Sequence, residues 1–239
     1  MPRFFVNNIN ENNVIIDGND ALHIRKSLRM NVGDVLTVCC NGIDYSCEIS
    51  EINMETILLK VLFFNKSESE PNINLTLYQA IPKSDKLELI IQKAVELGAS
   101  QIIPVLTRRC ISRPSEKDFQ KKLSRYNKIA ESASKQAGRA IIPQVLPMIN
   151  YSSAIETMKK DDVSIVFYES GGLRLNEMNF SDKKNISIMI GSEGGFDDLE
   201  ISEAQKNGIE TVWLGNRILR CETAPITAIS LLMYLTGNL

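Results

Sequence analysis

The chain has 239 residues, 27 basic against 29 acidic side chains, one histidine, five cysteines and 44% hydrophobic residues. That suits one large or two modest globular domains and excludes a general polycation. No apolar run reaches membrane-span length, and Arg3 followed by asparagine-rich sequence is unlike a secretory leader, so a cytoplasmic location without membrane attachment is expected.

Residues 1 to about 70 read as a small β-rich domain. Arg3 to Val6, Asn13 to Ile16, Asp34 to Cys40, Tyr45 to Ile52 and Thr56 to Phe64 are short β-type runs separated by turn residues such as Asn41-Gly42. Five strands in this length suggest a barrel. Between them, Asp20 to Arg29 is expected to be a helix capped at its start, carrying His23, Arg25, Lys26 and Arg29. His23 suits a surface or cap position as well as an RNA contact. The cysteines Cys39, Cys40, Cys47, Cys110 and Cys221 form no CxxC pair, and a single histidine leaves little for zinc, so reduced thiols and no metal are expected.

The polar stretch Lys66 to Asn72 is the expected linker, dividing the chain into 1–70 and 71–239. Beyond it strands and helices alternate. Asn74 to Ala80 reads as a strand; Asp85 to Leu97 has helical spacing and stops at Gly98; Gln101 to Leu106 is the next strand. This is a βαβ unit of an α/β domain. Further strands are expected at Val163 to Tyr168, Ile186 to Ile190 and Thr211 to Leu214. Helices are expected near Tyr151 to Met158, Asp197 to Asn207 and Thr223 to Thr236. Thr223 is the expected N-cap of the last, with Pro225 tolerated in its first turn.

Charge is unevenly spread. Between Arg108 and Arg139 ten basic side chains face three acidic ones, in a chain whose net charge is −2. From Glu116 to Ala137, Phe119, Leu123, Tyr126, Ala130, Ala133 and Ala137 share one helical face, while Lys117, Lys121, Arg125 and Lys128 share another. The cationic face suits either solvent or phosphate contact, and the scarcity of acidic partners favours phosphate. Arg108, Arg109 and Arg113 follow a strand, where binding loops gather.

Two loops near the C-terminus form the candidate site: Ile190-Gly191-Ser192-Glu193-Gly194-Gly195-Phe196 and Leu214-Gly215-Asn216-Arg217-Ile218-Leu219-Arg220-Cys221-Glu222-Thr223-Ala224. Each follows a short apolar run and leads into a helical pattern, placing glycines and backbone N–H groups where open α/β sheets bind ligands. Neither ends in GK[ST] nor carries GxGxxG spacing, which disfavours nucleoside triphosphate or nicotinamide.

The segments GSEGGF and LGNRILRCETA resemble the paired motifs, roughly GPEGG and LGxRILRxETA, of the bacterial 16S rRNA uracil-N3 methyltransferases, the RsmE type within the SPOUT superfamily. The likeness extends to Pro2-Arg3-Phe4-Phe5 and to His23 through Met30 with Gly33-Asp34, so it covers most of the chain. Ser192 stands where the family usually has proline, and Cys221 where threonine is common. The resemblance implies a PUA-like RNA-binding barrel at 1–70 and a SPOUT α/β methyltransferase domain at 71–239, with a trefoil knot in about 187–239. It also implies a homodimer, S-adenosylmethionine as methyl donor, and N3 of one uridine in 16S rRNA of the small ribosomal subunit as acceptor.

Under this reading Gly191, Gly194, Gly195, Leu214, Gly215, Ile218, Leu219, Thr223 and Ala224 hold the donor, the glycines by permitting close backbone approach. Arg220 stabilises negative charge on a uracil carbonyl, and Glu222 or Glu193 takes the imide proton or orients the group that does. Arg220 could instead pair with Glu222 as structure, and Glu193 could close its loop on backbone N–H groups. RNA contacts are expected from Arg3, His23, Arg25, Lys26, Arg29, Arg108, Arg109, Arg113, Lys121, Arg125 and Arg139. The alternatives are a SPOUT enzyme for another rRNA or tRNA nucleotide, or a non-catalytic RNA-binding ribosome-assembly protein.

Overall fold

The computed structural model describes residues 1–10 and 12–239. It divides into two compact units, one of residues 1–70 with 134–141 and the other of 71–133 with 142–239. Among the described residues no helix is long and apolar enough to cross a membrane.

The first unit contains β1 (Arg3–Phe5), β2 (Asn13–Asp17), α1 (Gly18–Leu22), a π turn (His23–Ser27), β3 (Val35–Cys40), β4 (Ile43–Ile52) and β5 (Thr56–Lys66). The sheet order is β1-β3-β4-β5-β2, antiparallel except for the β1–β3 pair. Period-2 burial is clearest in β2, where Val14 and Ile16 point inward between exposed neighbours. Phe4 from one end of the sheet and Val14 from the other join a single core with Ile24, Leu36, Val38, Ile49 and Leu59, so the sheet coils around that core. Register shifts in the β4–β5 ladder after Ser46 and Ile49 supply the bend. Asp20 is not the helix cap: α1 starts two residues earlier, with Asp17 at the N-cap, and Asp20 sits in the first turn, where its charge meets the helix dipole and the Lys135 ammonium at 3.1 Å.

The second unit runs β6 (Asn74–Ala80), α2 (Lys86–Glu96), β7 (Gln101–Leu106), α3 (Glu116–Ala137, whose last turn clusters with the first unit), β8 (Gln144–Val145), β9 (Ile149–Asn150), α4 (Tyr151–Met158), β10 (Val163–Phe167), β11 (Leu173–Arg174), β12 (Asn185–Ile190), α5 (Asp198–Lys206), β13 (Glu210–Trp213) and α6 (Thr223–Leu235). All strand pairs are parallel, in the order β11-β13-β10-β12-β6-β7-β8, with β9 also on β7.

Alternate residues of the apolar strands feed two separate cores. Leu75, Leu77, Ile102, Ile165, Ile186 and Ile188 pack with α2, α3 and α6, whereas Tyr78, Ile103, Val105, Val166 and Met189 pack with α4 and α5. Helices cover both faces, which is why these strands read as continuous apolar runs. Helix α2 ends in paired bonds from the Gly98 N–H to the Val95 carbonyl and from the Ala99 N–H to the Ala94 carbonyl, the C-terminal motif expected at Gly98.

Two sequence expectations fail here. Thr223 is not the N-cap of α6: Glu222 occupies that place, because the Arg220 carbonyl already accepts the N–H groups of Thr223 and Ala224 in a preceding turn. Ala137, expected on the packed face of α3, is exposed, since that face runs out of core at the last turn.

Candidate active site

Strands β13, β10 and β12 are adjacent and parallel, so their C-terminal ends open on one edge of the sheet. Three loops leave there, and together they line a cavity of about 260 Å³ bordered by Phe167, Glu169, Ile190, Trp213, Leu214 and the glycine turns. Small-molecule pockets run roughly 300–1,000 Å³, so this one takes a nucleoside-sized ligand rather than a dinucleotide. Sequence reasoning found the loops after β12 and β13 but missed the one after β10, which contributes Tyr168 and Glu169. Only pairing order, a non-local property, shows that β10 lies between the other two.

Of the residues expected to hold a donor, Gly191, Gly194, Gly195, Leu214, Gly215, Ile218, Leu219 and Ala224 line the cavity. Thr223 does not; it is exposed on the first turn of α6. Ile218 is 87% exposed, so it overhangs the rim rather than forming a packed apolar wall.

The first loop is tightly specified. The Gly195 N–H donates to the Ser192 carbonyl at 3.0 Å, and Gly195 adopts φ +65°. A Cβ on Gly195 would lie 2.6 Å from Glu169 Oε1, and one on Gly194 would lie 3.0 Å from Arg109 Cβ and 3.2 Å from its carbonyl oxygen. These glycines let the backbone reach where a side chain would intrude. The loop is held from both flanks. Arg109 donates to the Gly194 carbonyl at 3.2 Å and accepts from Ser192 Oγ at 3.4 Å, while buried Gln79 donates to the Gly191 carbonyl at 3.3 Å.

Lys86, at the first turn of α2, was not singled out in the sequence. Its ammonium lies 3.1 Å from Glu193 Oε1 and 3.2 Å from Glu222 Oε2, and 3.7 Å from Cys221 Sγ. Glu193 also accepts the Lys83 N–H at 3.1 Å, so the loop-closing role weighed for it is present. Burial raises the Glu193 carboxyl, but backbone N–H groups and Lys86 outweigh it and hold it below its ordinary value. Glu222 is likewise raised by burial and then lowered further by the Cys221 thiol, its own N–H and Lys86. Burial, and then the Glu222 bond, push the Cys221 thiol up to about 12, so it is a neutral donor rather than a thiolate.

Glu222 therefore does not pair with Arg220. The Arg220 side chain is exposed and makes no hydrogen bond or ion pair among the described residues.

The cationic residues expected at RNA are unequally available. Arg139 is 3% exposed and paired with Glu70 at 2.7 Å, and Arg3 pairs with Asp44 at 2.5 Å, so both guanidiniums hold their own unit together. Arg25 is spent on the carbonyls of Asn53 and Met54. Arg113 caps the Thr107 carbonyl at 2.8 Å, and Arg108 leans 3.6 Å from Asp197. Arg125 reaches Glu88 and Lys121 reaches Asp118, both from solvent-exposed positions on α3 beside exposed Lys117, Lys122 and Lys128. His23, Lys26 and Arg29 are exposed.

Comparison with known proteins agrees with this architecture. Residues 68–233 match the RNA methyltransferase domain family, and residues 16–62 match the RNA methyltransferase PUA domain. The chain is thus an RNA methyltransferase built from a PUA-like unit and a parallel α/β unit, the fold class expected from the resemblance.

It is 36% identical over 227 residues to ribosomal RNA small subunit methyltransferase E of Mesomycoplasma hyopneumoniae, covering 95% of this chain and 96% of that one. It is 32% identical over 230 residues to the protein of the same name from Bacillus subtilis, covering 92% and 90%. The solved structure of ribosomal RNA small subunit methyltransferase E from Neisseria gonorrhoeae bound to S-adenosyl methionine matches with a TM-score of 0.87 at 30% identity over 98% of each chain. The protein belongs to the ribosomal RNA small subunit methyltransferase E family.

Proposed function

We propose that the protein transfers a methyl group from S-adenosylmethionine to N3 of one uridine in 16S rRNA, acting in the cytoplasm on the small subunit or a late assembly intermediate. The observation that carries this reading is the cavity itself, closed by both motif loops at the C-terminal edge of a parallel sheet. When bound, the donor supplies an electrophilic methyl group on a good sulfonium leaving group. Leu214, Leu219 and Ala224 give its base an apolar wall, the turn at Gly191 to Gly195 lets backbone approach it, and Glu169 offers an acceptor for its hydroxyl or ammonium hydrogens.

Glu169 is exposed and makes no hydrogen bond among the described residues, so its carboxylate is available. Glu169→Ala is expected to weaken donor binding about tenfold, the loss of one charge-assisted hydrogen bond of roughly 1.5 kcal/mol, in calorimetry with unchanged melting temperature.

Methylating N3 requires loss of the imide proton, because only the anion has an in-plane lone pair there. Arg220 is placed in the second motif to stabilise that anion at a carbonyl oxygen. Glu193 and Glu222, anchored on Lys86, hold the loops and are carboxylates at neutral pH, able to orient or accept the proton. The exposed face of α3, with Lys117, Lys121, Lys122, Arg125 and Lys128, and the exposed His23, Lys26 and Arg29 grip the rRNA backbone.

The knot and the dimer belong to the same proposal. Helix α6 packs on α2, the helix that follows β6, although β10 and β12 separate β13 from β6, which supports a threaded C-terminus. Leu231, Tyr234 and Leu235 leave an exposed apolar stripe on α6, where a second copy fits.

The test is methyl transfer from labelled S-adenosylmethionine to small subunits from a deletion strain, followed by nucleoside mapping. One 3-methyluridine in 16S rRNA is expected; label on another base or on a ribose would replace the N3 assignment.

A further inference from the structure

We propose that Lys86 is a positioning residue that closes the donor cavity, by cancelling the mutual repulsion of two carboxylates carried by the two motif loops. The inference rests on the donor-binding reading above.

Three elements distant in sequence meet at one ammonium. Lys86 is fixed by the first turn of α2, Glu193 lies in the loop after β12, and Glu222 precedes α6. With Nζ at 3.1 Å from one carboxylate and 3.2 Å from the other, the two carboxylate oxygens lie no farther apart than the sum of those distances. Two such charges without a cation between them repel, and the loops that carry them are the walls of the cavity. Glu193 and Cys221 line it directly, whereas Lys86 does not. Lys86 therefore acts through the shape of the loops and not by touching the ligand.

The other groups at the junction do not replace it. The Lys83 backbone N–H bonds Glu193 but carries no charge, and the Cys221 thiol donates to Glu222 at 3.2 Å as a neutral group. Arg220, one residue before Cys221, makes no ion pair with either carboxylate. Lys86 is the only cation within ion-pair distance of Glu193 or Glu222 among the described residues.

Calorimetric titration of S-adenosylmethionine into the full-length protein tests this with four proteins. Binding to wild type establishes the donor site itself; if wild type fails to bind, the donor reading falls, independently of Lys86. Given binding, Lys86→Met is expected to weaken it about tenfold at pH 8, the loss of two partly exposed ion pairs. Lys86→Arg, which keeps the charge, should retain most of the affinity.

Two further readouts separate a charge clamp from mere packing. Relative to wild type at each pH, Lys86→Met should recover affinity as the pH falls from 8 to 5.5, because protonating one carboxylate removes the repulsion, while titration of the donor's own amine affects both proteins alike. The double variant Lys86→Met, Glu222→Gln should bind more tightly than Lys86→Met alone. Equal donor affinity in Lys86→Met and wild type would overturn the inference, as would a pH-independent loss that Glu222→Gln only deepens.

Discussion

Arg220→Ala is expected to slow single-turnover methyl transfer about 10²- to 10³-fold, the usual cost of removing one preorganised group that stabilises developing negative charge. Donor affinity should barely change. The Arg220 side chain makes no contact that shapes the loop, whereas its backbone carbonyl does: it accepts the N–H groups of Thr223 and Ala224 at 2.8 and 2.9 Å and starts α6. An alanine keeps that carbonyl, so the variant removes a guanidinium and leaves the turn. Arg220→Lys should recover only part of the rate, since an ammonium lacks the planar fork that meets a carbonyl edge. Rapid-quench measurement with saturating small subunits separates the outcomes. An unchanged rate at saturation with weaker subunit binding would move Arg220 from the reacting base to the RNA backbone.

What could be read in advance follows physical locality. The strands Asn74–Ala80 and Gln101–Leu106 and the helices Glu116–Ala137 and Tyr151–Met158 have the bounds that their periodicity predicts, because burial on one or two faces is written in neighbouring residues. The two-residue strands β8, β9 and β11 were not anticipated; they are too short to carry a period, and their pairing is decided by distant strands. The two motif loops were legible from glycines and from resemblance. The third wall of the cavity was not, since Tyr168-Glu169 has no local mark and becomes part of the site only through the β13-β10-β12 order. Charge was legible as a sum but not as availability. Arg3 and Arg139 read as RNA-binding cations until the fold places Asp44 and Glu70 against them, while for Arg220 the alternative of a structural pair with Glu222 falls away because Lys86 takes that carboxylate.

Glu200→Ala should destabilise the protein by about 2–4 kcal/mol, because it strands two backbone donors that the carboxylate now satisfies. Glu200 is 1% exposed. Its Oε2 accepts the Asp197 N–H at 3.0 Å, closing a reciprocal cap on α5, and its Oε1 accepts the Arg108 N–H at 2.8 Å. Apolar residues flank the site on α4, and the Tyr151 hydroxyl bonds the Glu200 carbonyl, a contact that the substitution leaves intact. At roughly 2–4 °C per kcal/mol for a chain of this size, the melting temperature should fall by about 5–15 °C. Glu200→Gln should cost less, since its amide oxygen still accepts one of the two bonds.

The same change should also reach the cavity. Arg108 is followed by Arg109, whose guanidinium and carbonyl hold Gly194 and Ser192 in the first motif turn. Freeing the Arg108 backbone therefore loosens the turn from behind, and donor affinity should fall together with stability. A Glu200→Ala variant with the wild-type melting temperature would show that water replaces the carboxylate at both donors. One that melts early yet binds donor normally would show that the glycine turn keeps its shape without the Arg109 strap.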